Sequence, residues 1–386
     1  MSFVLILSIV AFSSILISSM TIAVGMKKMR RLSDMKIGDV TQAPLVSIIV
    51  PACNEEKNIE KSLLSFFAQN YENLEIVVIN DRSTDNTAGV LKRLKARFPQ
   101  LRVHTITDLP EGWIGKSHAL ASGAALASGE YLLFTDADVI LEETTIARAV
   151  GHMNANQLDH LTLMFKNMTR GWLLNSLILD SGLGLLFIFR PWLVRKNGNR
   201  CFVGIGAFNM VKRSVYREIG GHAGIKMHPI DDMMLGKMIK EHGFFQDCLL
   251  AYDFVKIPWY DSVSGMVKGL EKNMFAVLHY RIVLVPVMLL AIIIPSIWPV
   301  FGVVFGDKTV QIMCLVTVGL RLVTFYQGLR LLSLPEWYLP GFMITPYISC
   351  YIILKSSFVT LKNRGIVWRG QHYTLAELKK TPPLLF

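Results

Sequence analysis

Apolar residues gather at the two ends of the chain and leave a polar-balanced middle. Ser2 to Val24 contains no charge, proline or glycine, enough to carry a helix across a hydrocarbon core of ~30 Å. Three further apolar stretches close the chain. Ile282 to Gly306 is uncharged but holds Pro286, Pro295 and Pro299; Thr309 to Leu329 is interrupted by Arg321; Trp337 to Leu354 is uncharged and holds Pro340 and Pro346. A fifth stretch, Gly171 to Trp192, is broken by Asp180, Gly182 and Gly184. It reads as an amphipathic interface helix or, alternatively, as a helix buried in a soluble domain.

The middle alternates short apolar runs with helical spacing. Leu45 to Val50 ends at Pro51 as a buried parallel strand would. Asn54 to Gln69 then places Ile59, Leu63, Leu64 and Phe67 on one helical face, with Asn54 as its cap. Leu74 to Ile79 predicts a second strand and Asp85 to Phe98 a second helix, and Leu101 to Ile106, Lys116 to Ser128 and Tyr131 to Thr135 continue the series. This order predicts an α/β domain built on a parallel sheet, with ligands bound beyond the carboxyl ends of its strands. Four segments follow: an anchor over 1–26, a domain over 27–281 with an interface helix near 171–192, membrane helices over 282–354, and a basic tail over 355–386.

Composition sharpens this division. Of 386 residues 52% are hydrophobic and only 18% charged, below the ~25% usual for soluble domains. Disorder and a wholly soluble enzyme are excluded. The formal net charge of +11 has a location. Lys27, Lys28, Arg30, Arg31 and Lys36 follow the first apolar stretch, against Asp34 and Asp39, and the tail holds Lys355, Lys362, Arg364, Arg369, Lys379 and Lys380. By the positive-inside rule both clusters are cytoplasmic, beside anionic phospholipid, and the chain is an integral membrane protein. A cleaved signal peptide would carry its positive charge before the apolar run instead. One anchor plus three full spans would put the tail outside, so either a proline-rich stretch is re-entrant or Arg321 splits the middle one. The basic residues border membrane segments, which argues against nucleic acid. The five cysteines lack C-x-x-C spacing, indicating neither zinc nor a disulfide framework.

Polar clusters end three strands: Pro51-Ala52-Cys53-Asn54-Glu55-Glu56, Asn80 to Asp85, and Asp136-Ala137-Asp138. Any one of them is also what a turn or helix cap requires. At a turn, Asp136 and Asp138 can converge on one hard cation, Mg²⁺ or Mn²⁺, which would bridge the phosphates of a nucleotide. Asp231-Asp232 precedes a helical run with Met234, Leu235, Met238 and Ile239 on its apolar face. Adjacent acids raise each other's pKa, which suits a general base; the alternative is an N-cap, for which Asp231 is well placed.

The fragments VSIIVPACNEE, VVINDRSTDNT, GWIGKSHAL, YLLFTDADV and IDDMMLGKMIKEHG, in order from Val46 to Gly243, resemble membrane-bound inverting family 2 glycosyltransferases with a GT-A catalytic domain. GWIGKSHAL, IDDMMLG and the late WRGQHY are most similar to the lipid-glycosylating branch, which includes ceramide glucosyltransferases and hopanoid- and carotenoid-associated enzymes. The resemblance implies a UDP-sugar donor, a membrane-lipid acceptor and transfer of one hexose. It implies that Pro51, Ala52, Asn54 and Glu55 line the nucleobase and ribose, that Asp81 binds the uracil side, and that Lys116 reaches the diphosphate. Trp113 supports the sugar or merely packs. Asp136 and Asp138 face the nucleotide sugar and the metal, with Asp138 the firmer ligand. Asp232 is the base, with Asp231 as cap or acceptor-side partner. Gly204 and Gly206 allow close approach of the acceptor or form a strand bulge. The Q-x-x-R-W motif of processive polysaccharide synthases is absent; Gly265 to Phe275 reads GMVKGLEKNMF, with Lys268, Lys272 and Asn273 as replacement phosphate or headgroup contacts. That departure favours single transfer over polymer synthesis, and the intact acids argue against a non-catalytic scaffold. In the tail, Gln371 stands where the family has arginine, which leaves phosphate contact to Arg369.

Overall fold

The computed structural model describes residues 2–37, 43–196 and 198–385; Asp39 lies outside them. The chain opens with helix α1 (Phe3–Met26), capped by the Ser2 hydroxyl, which accepts from the Leu5 amide at 3.3 Å. The alternating middle follows as β1 (Val46–Ala52), α2 (Ile59–Phe67), β2 (Leu74–Asp81), α3 (Thr87–Arg97), β3 (Leu101–Ile106), α4 (Gly115–Leu126) and β4 (Tyr131–Phe134). Then come β5 (Ile140–Leu141), α5 (Thr145–Ala155), β6 (His160–Met164), β7 (Lys166–Asn167), α6 (Trp172–Phe189), β8 (Asn209–Lys212), α7 (Arg213–Glu218), α8 (Asp231–Glu241), β9 (Gln246–Leu250) and β10 (Val255–Ile257). Helices α9 (Val263–Val277), α10 (Leu284–Ile292), α11 (Trp298–Phe305), α12 (Lys308–Leu331) and α13 (Gly341–Lys362) precede a hairpin of β11 (Gly365–Trp368) and β12 (Gln371–Thr374) and a last turn, α14 (Leu375–Leu378).

The main sheet runs β3-β2-β1-β4-β8-β6-β9. Strands β1 to β4 are parallel as their apolar runs predict, but β8 lies antiparallel to both β4 and β6. The expectation of a parallel sheet is corrected there. Strand β8 is only Asn209–Lys212, entered through a glycine-containing segment, and carries too little pattern to read from sequence. One face of the sheet packs Ile48, Val50, Val78 and Leu133 against Ile59, Leu63, Phe66 and Val150; the other packs Ile49, Leu132 and Phe134 against Leu120, Leu235 and Ile239. The result is a three-layer α/β domain.

The first predicted helix starts later than expected. Asn54 is not its cap: it sits at φ 59° and its side-chain oxygen accepts from the Thr84 amide at 2.7 Å, while α2 begins at Ile59 after Asn58. The segment after α1 is fastened to the far edge of the sheet. The Leu250 amide donates to the Arg30 carbonyl at 2.9 Å, Arg30 pairs with Asp247, and His152 Nε2 meets Asp247 at 2.8 Å. Leu32 is fully buried beside them.

Among the described residues five helical segments are long and apolar enough to cross a membrane: α1, α6 with its following turn, α10–α11, α12 and α13. The prolines of Ile282 to Gly306 bend that stretch rather than break it, because α10 and α11 join through a π-helical turn at Ile293–Ile297 that holds Pro295. Arg321 does not split α12. Its guanidinium meets the Asp180 carboxylate of α6 at 2.9 and 3.2 Å, and Thr345 of α13 donates to the same carboxylate at 2.6 Å. The charge is neutralised in place and the helix runs on.

Removing one partner of this pair leaves the other uncompensated, at a cost of about 3–5 kcal/mol. Arg321→Ala should therefore lower the melting temperature of the detergent-solubilised protein far more than Asp180→Asn combined with Arg321→Met, which leaves no lone charge. Equal losses in the two variants, measured by thermal unfolding, would contradict this account.

Candidate active site

The carboxyl ends of β1, β2 and β4 share one edge of the sheet. Because β8 runs the opposite way, its beginning reaches that same edge and delivers residues Gly204 to Asn209. The amide of Asp136 donates to the Gly206 carbonyl at 3.2 Å across this junction. Helix α8 points its first turn, Asp231 and Asp232, at the same place.

Glycine is required where these pieces meet. A Cβ on Gly206 would stand 2.9 Å from Asp136 Oδ2 and 3.4 Å from Asp232 Oδ2, and one on Gly204 would overlap the Asp232 carbonyl. Both glycines thus admit the start of α8. The Gly206 amide donates to Asp232 Oδ2 at 2.9 Å, and Asn209 reaches the Asp232 carbonyl at 3.4 Å. Asp231 is not the cap of α8, since Ile230 holds that position without a side-chain bond. Its carboxylate is free to face Lys116.

Lys116, in the first turn of α4, joins the acids. Its Nζ lies 2.8 Å from Asp136 Oδ1 and 3.6 Å from Asp231 Oδ1. Burial alone would lower its pKa, but Asp136, Asp231 and Asp232 together raise it. Burial, then the neighbouring Asp231, pushes the Asp232 carboxyl up to about 6. Burial also raises Asp138, with Asp136 and Glu55 adding repulsion. Lys116, Thr135, Asp136, Asn209, His222, Asp231 and Asp232 line a cavity of only about 10 Å³, room for roughly one water. No group of three or more His, Cys, Asp or Glu gathers as a metal centre among the described residues. Asp136 and Asp138 offer hard oxygen donors, in a cluster of carboxylates whose repulsion a divalent cation would relieve.

The residues expected around the nucleotide are mostly engaged with one another. Pro51 and Ala52 are buried within β1. Asn54 ties its loop to the one after β2, and the Glu55 amide donates to Thr87 Oγ1 at 2.8 Å. Asp81 is fully buried, with both oxygens held by Arg82, through Nε at 2.7 Å and an Nη at 3.1 Å. Glu55 faces Arg369 at 3.8 Å. Arg369 and Gly370 form the two-residue loop of the β11–β12 hairpin, both with positive φ, 50° and 78°, as a type I′ turn demands.

This hairpin brings in contacts that sequence reasoning left without a role. Tyr373 Oη accepts from the Gly115 amide at 3.3 Å, at the start of α4 and one residue before Lys116. Lys272 Nζ lies 3.3 Å from the centre of the Trp368 ring, and burial, with Lys116 and Arg369 nearby, pushes its pKa down to about 7. Trp113 packs edge-on against His118, ring centres 5.4 Å apart. The motif WRGQHY marked this stretch without revealing its fold or what it touches; Arg82 lay inside VVINDRSTDNT and Asn209 outside the matching fragments, and nothing in their spacing marked either.

The family model described as glycosyl transferase family 2 matches residues 47–220. The 4,4'-diaponeurosporenoate glycosyltransferase of Staphylococcus haemolyticus (strain JCSC1435) is 28% identical over 263 residues, covering 61% of this chain and 62% of that protein. The Bacillus subtilis (strain 168) protein named "Probable glycosyltransferase YdaM" is 34% identical over 189 residues, covering 47% and 44%. The chain thus spans less than two thirds of the length of these curated relatives. In fold it is similar to the mannosyltransferase PcManGT from Pyrobaculum calidifontis, solved in complex with GDP-Man and Mn²⁺, with a TM-score of 0.53 at 19% identity over 89% of this chain and 97% of that one. Residues 47–220 are thus similar to glycosyl transferase family 2, the chain shares the fold of that mannosyltransferase, and apolar helices lie at both ends.

Gly206→Ala should reduce turnover at least tenfold by displacing the carboxylates of Asp136 and Asp232, while circular dichroism stays native. Tyr373→Phe removes an acceptor worth about 1 kcal/mol and should raise the donor KM several-fold with little change in melting temperature. Unchanged steady-state kinetics in both would refute the roles given to them.

Proposed function

We propose that the protein is an inverting glycosyltransferase that moves a single sugar, glucose or another hexose, from a UDP-sugar to a membrane lipid at the cytoplasmic face. The observation that carries this reading is the convergence of Asp232, Asp231 and Lys116 on the strand edge that presents Asp136 and Asp138. The family 2 domain supports sugar transfer, the carotenoid-associated relative supports a lipid acceptor, and the apolar helices support a membrane location.

In this mechanism Asp232 accepts the proton of the acceptor hydroxyl as that oxygen attacks the anomeric carbon from the side opposite the diphosphate. The amide of Gly206 holds the carboxylate in position, and burial, with repulsion from Asp231, keeps it basic. The bond between the anomeric carbon and the diphosphate oxygen breaks as the new one forms. The departing charge is met by Lys116, with Arg369 and Lys272 close by. Asp136 and Asp138 would hold Mg²⁺ or Mn²⁺, which supplies further stabilisation of the diphosphate when bound. Single transfer is favoured over polymer synthesis because α9 carries Lys268, Lys272 and Asn273 where processive enzymes have Q-x-x-R-W.

Asp232→Asn should abolish transfer while donor binding survives; normal turnover in that variant would remove Asp232 as the base. With the Asp232 carboxyl raised to about 6 and required in its ionised form, kcat/KM should fall about tenfold per pH unit below pH 6. Purified protein given a panel of nucleotide sugars and a lipid extract, with or without EDTA, should yield monoglycosylated lipid by mass spectrometry. It should do so from UDP-sugars and only with divalent metal. Long polymer, no product from any donor, or full activity in EDTA would each overturn its part of the reading.

A further inference from the structure

Helices α6 and α13 are long and apolar enough to cross a bilayer, yet both of their ends belong to the catalytic domain. Before α6, Asn167 of β7 donates to Asn175 at 3.2 Å; after it, Lys240 of α8 donates to the Val194 carbonyl at 2.8 Å. A single crossing would separate β6 from β8, which are hydrogen-bonded neighbours in one sheet. The same holds for α13. Its start packs on the start of α6, where Ser176 Oγ donates to the Tyr338 carbonyl at 3.2 Å. Its end leads directly into the hairpin whose Tyr373 touches Gly115, and Leu384 lies in the core beside Ile49.

The remaining three apolar segments behave differently. Helices α1 and α12 run side by side in the same direction, with Cys314 near Ser8 (3.5 Å) and Thr324 near Ser19 (2.7 Å). Large apolar side chains stand exposed along both, as far as Val323 on α12. Beyond that level α12 turns polar, with Arg330 paired to Glu336 at 2.9 Å. The Asp180–Arg321 pair, which ties α6 to α12, sits at this transition.

On α13 the exposed face is apolar from end to end: Ile344, Tyr347, Tyr351, Leu354, Phe358 and Leu361, spaced three or four residues apart. The buried face mixes Phe342, Pro346, Ile352 and Ile353 with the small polar groups Thr345, Ser356, Ser357 and Thr360. A helix that keeps these small polar groups against protein and leaves a wholly apolar stripe bare suits one solvent, hydrocarbon reached sideways. We propose that α1, α10–α11 and α12 cross the membrane, whereas α6 and α13 lie in the plane of the leaflet beside the catalytic domain, the stripe of α13 in contact with its acyl chains. Three crossings put both basic clusters on one side, which removes the conflict between span count and tail charge. The Arg321 alternative and the full third late span are both unnecessary.

The test uses full-length protein in phospholipid vesicles. Its five native cysteines are replaced, and single cysteines at Ile344, Tyr351 or Phe358 carry an environment-sensitive fluorophore. Lipids with a nitroxide near the headgroup or near the acyl terminus serve as quenchers. An in-plane helix gives the same shallow-to-deep quenching ratio at all three positions. A crossing helix moves about 21 Å in depth between the first and last, so a ratio that changes steadily along α13 overturns the proposal. Absence of quenching by either lipid also overturns it, since protein or water would then cover the stripe. As a check independent of these sites, Gln371→Cys and Lys57→Cys should react with a membrane-impermeant maleimide from the same side; opposite sides would refute the topology.

Discussion

A half-buried lysine organises the strand edge where this domain gathers its acids. Lys116 stands between Asp136, which leaves strand β4, and Asp231, which begins helix α8. Without it, acids from two separate elements would meet in a space closed to about 10 Å³. At ~4 Å a pair of like charges costs on the order of 4 kcal/mol at an effective dielectric of 20. The antiparallel strand β8 makes the meeting possible by turning its entrance toward the carboxyl ends of its neighbours. Gly204 and Gly206 then let α8 close in.

The two ends of the chain are fastened to the domain at different places. The segment after α1 is bound to β9 through Arg30, Asp247 and His152, which attaches the first apolar helix to one margin of the sheet. The tail hairpin attaches near the carboxyl end of the central strand β1, where Tyr373 meets the first turn of α4 and Arg369 meets Glu55. Apolar helices are therefore joined to the domain at two separate places. The position of Lys116 depends on a residue more than two hundred and fifty positions away, because Gly115 donates to Tyr373. No local pattern could express that coupling.

What the sequence could disclose follows from the range of the forces involved. Parallel strands buried on both faces announce themselves as unbroken apolar runs, so β1, β2 and β4 were legible, as was their shared edge. The strand β8 is four residues long, and its direction depends on a sheet partner rather than on its own composition. The early start assigned to α2 has the same origin. Asn54 favours a helix cap by residue type, but a loop thirty residues onward captures its side chain. Hydropathy identified every long apolar helix. It could not say that Asp180 and Arg321 cancel each other across α6 and α12, since that pairing exists only in three dimensions.

Charge balance links the proposed reaction to the observed geometry. Glu55, Asp136, Asp138, Asp231 and Asp232 surround a site in which Lys116, Lys272 and Arg369 are the nearby cations. A diphosphate brought into this field adds negative charge where Asp138 and Asp232 already have raised pKa values. Lys116 cannot offset that addition alone, because its charge is shared with Asp136 and Asp231. Among the described residues Lys272 has no ion-pair partner; its neighbour is the Trp368 ring, and burial draws its pKa down. A phosphate near Lys272 would reverse that shift and hold the ammonium charged. Asp136 and Asp138 would hold a divalent ion, whose charge would offset part of the repulsion among these carboxylates. On this reading Lys116 offsets part of the repulsion among these acids, and a divalent cation arriving with the donor would offset more of it.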